Sequence, residues 1–338
     1  MIFTKDKLDI LNKRLKSAKS ITIVAHKSPD GDSIGSSLAL YHYLLQKGIN
    51  NISVCHPDPA PNFLHWLSGI TDILTFNEDK NEVTDCIINS DIIFCLDFNA
   101  LHRVGDDMKT LIEDSNAFRV MIDHHLNPTD EFDLTFSQIE SCSTAQLIFD
   151  LIDANNDLDL INNQIGEAIY CGIMTDSGSF RYPSTTAHTH RVIAELLSRG
   201  VDNSKVHEST FDTNTIGRLR LHGYAINEKL EILEDYNTAI MSLSEQELKL
   251  FDYQNGYTEG LVNVGLSIVG INKSIFLKES NGIIKISFRS KGKDNPINIL
   301  AAKYFNGGGH ANASGGKWED SIESAIKKLK EVLPEFCK

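Results

Sequence analysis

Short apolar runs alternate with longer amphipathic stretches along the first half of this chain. Residues 5–18 place apolar positions at helical spacing among charged ones and predict an amphipathic helix. ITIVAH (21–26) is a short β-branched run, SPDGDS breaks it, and IGSSLALYHYLLQKG predicts a helix ending near Gly48. NISVCH (51–56), DIIFCLD (91–97) and FRVMIDHH (118–125) read as further strands. Near-continuous apolar character fits strands buried on both faces, with helices between them, and so a parallel sheet. SCSTAQLIFDLIDANN (141–156) predicts a helix with Ser or Thr caps at its start. QIGEAIYCGIMTDSG (164–178) predicts another, broken at Asp176-Ser177-Gly178.

The pattern changes after residue 190. Helical stretches at 189–199 and about 215–231 precede strand-like pieces at 237–243, 274–280 and 282–290. A glycine turn, Asn306-Gly307-Gly308-Gly309-His310, comes next, then a terminal helix from about 320. The expectation is an α/β protein of two domains. An N-terminal parallel-sheet domain spans 1–200 and a helical connector 201–230. A smaller mixed α/β domain spans 231–338, and the active site is expected in the cleft between the domains.

The composition supports two cores, with 338 residues and 41% hydrophobic content. A formal charge of −14 argues against binding long duplex nucleic acid, which rewards a basic footprint. The charge is unevenly spread. From Gly270 to Lys317 eight Lys/Arg (273, 278, 285, 289, 291, 293, 303, 317) face two acids (279, 294), a net of +6 that leaves −20 elsewhere. An acidic first domain and a basic patch on the second suggest a metal site opposite an anion site. Cys55, Cys86, Cys95, Cys142, Cys171 and Cys337 form no C-x-x-C pair and read as buried reduced thiols of a cytoplasmic protein. The N-terminus lacks a signal-peptide core and no stretch reaches transmembrane length, so no membrane partner is expected.

Acids and imidazoles gather where the strands end. His26, Asp30 and Asp32 lie at and after the end of ITIVAH, Asp97 ends DIIFCLD, and Asp123-His124-His125 end FRVMI. Ligands of open α/β sheets bind outside the carboxyl ends of the strands. A single acid at a strand end is ordinarily a cap or turn former, and it is the joint occurrence that points to chemistry. Asp176 joins from a glycine-containing break after a helix. Carboxylates with imidazoles and no thiolate form a hard donor set. It favours two divalent cations, Mn²⁺ foremost with Mg²⁺ or Co²⁺ compatible, over structural zinc. Paired divalent ions suit in-line displacement at phosphorus by an activated hydroxide.

These residues resemble the DHH phosphoesterase family, motif by motif and in order. HKSPDGDSIGS (26–36), LDFNALHR (96–103), DHH (123–125) and GIMTDSGSF (172–180) look like its four motifs. ISFRSKGKDNPINILAAKYFNGGGHANASGG (286–316) is similar to the DHH-associated domain. The resemblance implies that His26, Asp30 and Asp97 hold one metal. Asp32, Asp97, His124 and Asp176 would hold the second, with Asp97 bridging. Asp123 would orient an imidazole, His125 would face the substrate, and Arg103 would contact phosphate or make a surface salt bridge. In the second domain, Arg289, Ser290, Gly307, Gly308, Gly309 and His310 would bind the nucleotide.

Length and domain content resemble the compact branch of the family. That branch implies an oligoribonuclease acting on single-stranded RNA of about 2–5 nucleotides, short enough for a small basic patch, and on 3′-phosphoadenosine 5′-phosphate (pAp). A soluble phosphodiesterase for linear or cyclic signalling dinucleotides (pApA, pGpG), a single-strand exonuclease and a non-catalytic nucleotide sensor are the alternatives. Homodimer formation is left open.

Overall fold

A computed structural model describes residues 2–292 and 294–336, so Lys293 of the basic patch and Cys337 lie outside the described residues. The chain divides into two units, Met1–Thr213 and Asn214–Lys338.

The first unit is built on six parallel strands, β1 (Ile21–Ala25), β2 (Ile52–His56), β3 (Ile73–Thr75), β4 (Ile92–Leu96), β5 (Phe118–Asp123) and β6 (Leu134–Ser137), in the order β3-β2-β1-β4-β5-β6. Its helices are α1 (Lys5–Ser17), α2 (Gly31–Gln46), α3 (Lys80–Ile88), α4 (Asp106–Asp114), α5 (Thr144–Ala154), α6 (Asn163–Asp176), α7 (Ala187–Ser198) and α8 (Asn203–Phe211). Alternate residues of each apolar strand enter different cores. Ile23, Phe94 and Ile122 pack with α1, α2, α5 and α6, while Val24, Ile93, Cys95 and Met121 pack with α3 and α4. This two-sided burial is why the strands read as unbroken apolar runs. The short edge strands β3 and β6 and the nine-residue helices α3 and α4 are not among the predicted elements, because such short segments carry too little periodicity.

The strand order reverses direction between β1 and β4, a topological switch point where the loops leaving neighbouring strands diverge and open a crevice. His26 follows β1 and Asp97 follows β4, so both lie at that crevice. Asp97 has φ 63°, left-handed and costly for a non-glycine residue, and its N–H donates to the Ile122 carbonyl at 3.1 Å.

The second unit holds a mixed sheet in the order β11-β12-β10-β9-β8-β7. Its strands are β7 (Glu231–Leu233), β8 (Thr238–Leu243), β9 (Lys273–Ser280), β10 (Ile283–Ser290), β11 (Gly308–His310) and β12 (Ala313–Trp318). Its helices are α9 (Ile216–Glu228), α10 (Glu245–Lys249), α11 (Leu261–Leu266), α12 (Asn298–Tyr304) and α13 (Ile322–Val332). The expected 201–230 connector is shared out, with α8 in the first unit and α9 in the second. The expected glycine turn is in part an edge strand, because Gly308–His310 pairs antiparallel with β12. Among the described residues no helix is long and apolar enough to cross a membrane.

Candidate metal centre

Asp30 is the N-cap of α2. One carboxylate oxygen, Oδ1, accepts from the Asp32 and Ser33 N–H groups at 3.0 Å each, and Oδ2 lies 3.8 Å from His26 Nε2. His26 Nδ1 meets the Lys27 carbonyl at 2.9 Å, an acceptor, so Nδ1 carries the proton and Nε2 offers a lone pair. Asp97 Oδ2 is 3.4 Å from the same Nε2.

A second imidazole repeats the arrangement. His124 Nδ1 meets the Ser141 carbonyl at 3.2 Å, which leaves Nε2 3.7 Å from Asp32 Oδ2, 3.6 Å from Asp97 Oδ1 and 3.5 Å from Asp176 Oδ2. Two ligands of one metal, each about 2.0–2.2 Å from it, stand roughly 3–3.6 Å apart. The donor atoms of His26, Asp30 and Asp97 lie within 4.8 Å of one another, as do those of Asp32, His124 and Asp176, and these groups can hold metal ions. Asp97 turns one oxygen to each imidazole.

The start of α5 supports both groups, a role that no local pattern in the sequence announces. The Thr144 and Ala145 N–H groups donate to the two oxygens of Asp32 at 2.6 and 2.8 Å, and Thr144 Oγ1 donates to Asp97 Oδ1 at 3.0 Å. A helix N-terminus favours an anion there. The SCST segment signals the cap, but nothing near it in the chain shows that its free N–H groups reach back to Asp32. Asp176 closes α6, where the helix dipole disfavours a carboxylate and a cation is welcome.

Electrostatics fits cations in the same place. Burial, then the charges of Asp32, Asp30, Asp176 and Asp123, hold the Asp97 carboxyl well above the usual carboxylate range. Burial also raises Asp32. Burial pushes Asp30 up too, but His26, the Ser33 and Asp32 N–H donors and His125 bring it below the ordinary value. Burial alone would lower His124, and Asp176, Asp32, Asp123 and the Ser141 carbonyl raise it instead. Carboxylates crowded this closely need positive charge to stay ionised.

Asp123 is fully buried and grips His125 twice, through Nδ1 at 2.7 Å and the backbone N–H at 3.0 Å. It therefore orients His125, whereas the Ser141 carbonyl orients His124. Arg103 is half-buried, and its side chain has no hydrogen bond or ion pair among the described residues, while its carbonyl accepts from Lys27 N–H at 2.8 Å. The salt-bridge alternative finds no partner among those residues. His56, which no sequence motif singles out, ends β2 fully buried with Nε2 3.1 Å from Ser37 Oγ and Nδ1 without a hydrogen bond. Burial, then the His26 charge, push it down to about 3, so it is neutral at ordinary pH.

In the second unit one row runs across the sheet, Ser274–Arg289–Ala313–His310, by successive cross-strand pairing. Arg289 and His310 thus share a face with only the Ala313 methyl between them. Ser290 points to the other face, is buried, and is already engaged, donating to the Asn295 carbonyl at 2.5 Å and accepting from Asn312 Nδ2 at 2.9 Å. That hydroxyl fastens a loop, contrary to the expectation of a substrate contact. Gly307 is required by packing, since a Cβ there would lie 2.0 Å from the Gly315 carbonyl, and Gly309 has φ +136°. Gly308 faces open space.

The chain matches the model of the DHH family, N-terminal domain, over residues 20–173 and that of the DHHA1 domain over 248–338. It is 41% identical to the crystal structure of an exopolyphosphatase-related protein from Bacteroides fragilis, with a TM-score of 0.94 over 98% of this chain and 97% of that one. It is 29% identical over 308 residues to the bifunctional oligoribonuclease and PAP phosphatase NrnA of Bacillus subtilis, covering 89% of this chain and 91% of that protein. It is 25% identical over 340 residues to the cyclic-di-AMP phosphodiesterase PdeA of Listeria monocytogenes, covering 97% of this chain but 49% of that protein.

Proposed function

The chain belongs to the DHH family, carries its DHHA1 domain and is a phosphoesterase; we propose that it degrades RNA of about 2–5 nucleotides to nucleoside 5′-monophosphates and dephosphorylates pAp to AMP. The observation that carries the chemistry is Asp97, whose two oxygens face two different imidazoles at 3.4 and 3.6 Å. A carboxylate so placed is a bridge between two ions. The substrate class is supported by the Bacillus subtilis relative, whose length this chain nearly matches.

In this reading His26, Asp30 and Asp97 hold one divalent cation, and Asp32, Asp97, His124 and Asp176 hold the other. The oxygen and nitrogen donors, without thiolate, favour Mn²⁺, with Mg²⁺ or Co²⁺ as substitutes. Such ions supply Lewis-acid activation of water and of the phosphoryl group. Asp123 fixes the His125 ring so that its other nitrogen can donate a proton or hydrogen bond to the phosphate. Arg103 adds a guanidinium to the same phosphate. Arg289 and His310 bind a further phosphate of the nucleotide, with the open Gly308 backbone beside them. A cytoplasmic location agrees with such substrates.

The test is a Mn²⁺ titration with an oligoribonucleotide series of increasing length plus pAp. Turnover should require the metal, fall beyond about five residues and include pAp. Equal rates on a long strand, or full activity in chelator, would refute the reading. Similarity to the Listeria protein over 97% of this chain keeps linear or cyclic dinucleotides as a second reading. Side-by-side kinetics on pAp, pGpG and a five-residue RNA separate the two.

A further inference from the structure

No cysteine belongs to the acid–imidazole cluster, yet two cysteines meet away from it. Cys55 is fully buried in β2, and Cys86 is half-exposed in the last turns of α3. Residues two apart in a strand share a face, so Ser53 and Cys55 look the same way. Cys86 Sγ lies 3.2 Å from Ser53 Oγ on that face and packs against the apolar cluster that contains Cys55. The two thiols are hydrogen-bonded to each other. The end of α3 is held there by Thr22 Oγ1, which donates to the Cys86 carbonyl at 3.0 Å.

We propose that Cys86 and Cys55 form a peroxide-reactive dithiol, with Cys86 the attacked thiol and Cys55 the resolving one. The hydrogen bond from Cys55 brings the Cys86 thiol down to about 6, with Ser53 assisting, against burial and the acids Glu82 and Asp85. The same bond and burial push Cys55 well up, as befits the partner that keeps its proton. A low-pKa, partly exposed thiol beside a second thiol is the arrangement that peroxide oxidises selectively. The Cys86 thiolate attacks one peroxide oxygen and the O–O bond breaks, giving a sulfenic acid and, with a proton, water. Cys55 then attacks the Cys86 sulfur and its own proton leaves with the hydroxide as a second water. Two thiols lose two electrons and two protons, and one peroxide becomes two waters. The sulfur pair adjoins the strand end that carries His56, and Asp58 just beyond accepts from the Ser28 N–H at 2.8 Å in the loop between His26 and Asp30.

The test is peptide mapping of the folded, full-length Cys337→Ser protein after stoichiometric hydrogen peroxide, with and without later reductant. The expected product is a reducible Cys55–Cys86 crosslink within one chain, with the other cysteines still alkylatable. Cys55→Ser should leave a sulfenic acid at Cys86 that a 1,3-diketone captures. Should that buried variant not fold, Cys86→Ser, at a half-exposed site, should abolish the crosslink while keeping phosphoesterase activity. Over-oxidation of Cys86 with Cys55 still free, crosslinking to another cysteine, or no oxidation of Cys86 would overturn the proposal.

Discussion

Asp97 carries more of the site than any other residue. It is buried, left-handed in its backbone, and faces both imidazoles. Asp97→Asn keeps the shape and removes the charge that two cations would share. Lewis-acid activation is worth several kcal/mol, so turnover should fall by about 10²–10⁴-fold, measured as kcat/KM on pAp at saturating Mn²⁺. Asp123 acts through His125, and outer partners of this kind are worth about 10–100-fold. Asp123→Asn, which can still accept from Nδ1, should therefore be milder than Asp123→Ala; equal losses would show that the hydrogen bond is irrelevant. A pH effect follows for the metal-free protein. Asp97, Asp32 and His124 all have raised values, so the folded state binds more protons than the unfolded one. Stability is then present at low pH and declines as pH rises above about 4 toward neutrality, and the lowered Asp30 opposes this only at the acid end. Melting temperature of chelated protein should drop across that range, and Mn²⁺ should restore it.

At the scale of elements, the close approach of α2, α5 and α6 sets the geometry. A Cβ on Gly172 of α6 would stand 2.5 Å from Ala145 Cβ and 3.0 Å from Asp32 Oδ1. Gly172→Ala must part α5 from α6, and overpacking of this sort costs about 1–3 kcal/mol. We expect a lower melting temperature together with a raised Mn²⁺ requirement, because Asp32 is displaced. Gly223→Ala, on α9 with open space around it, should be neutral or gain up to about 1 kcal/mol from helix propensity. A Gly172→Ala protein with unchanged Mn²⁺ dependence would contradict the coupling. Neither requirement can be read from the sequence, where Gly172 is an ordinary glycine inside a helical pattern. The four long strands were legible because each buries both faces. The strands β3, β6 and β11 were not, since so few residues show no period and the pairing partner lies far away in the chain.

At the scale of the molecule, the two units divide the labour. The first holds the donor sets, and the second presents Arg289 and His310 on one face of its sheet. Arg289→Ala should raise KM for pAp by at least about tenfold, the loss of one charge-assisted hydrogen bond of 1.5–3 kcal/mol. Mn²⁺ affinity by calorimetry, and turnover of a minimal phosphodiester without a second phosphate, should stay unchanged. A loss of Mn²⁺ binding in this variant would dissolve the division.

The sequence by itself determined which chemistry converges and at which edge. Strand direction and the residue that follows a strand are local properties, so the linear pattern alone places His26, Asp97 and Asp123-His124-His125 at the carboxyl end. The order of the motifs along the chain points to the family for the same reason. Tertiary structure alone decided the pairing within that edge. It assigned Asp123 to His125 and the Ser141 carbonyl to His124, brought the α5 N–H groups to Asp32, and took the Ser290 hydroxyl for a loop. These partners lie between 2 and 112 residues apart. Hydrogen bonds are settled within a few tenths of an ångström, by how helices and strands distant in sequence pack, and a linear pattern of polar and apolar residues carries no such distance.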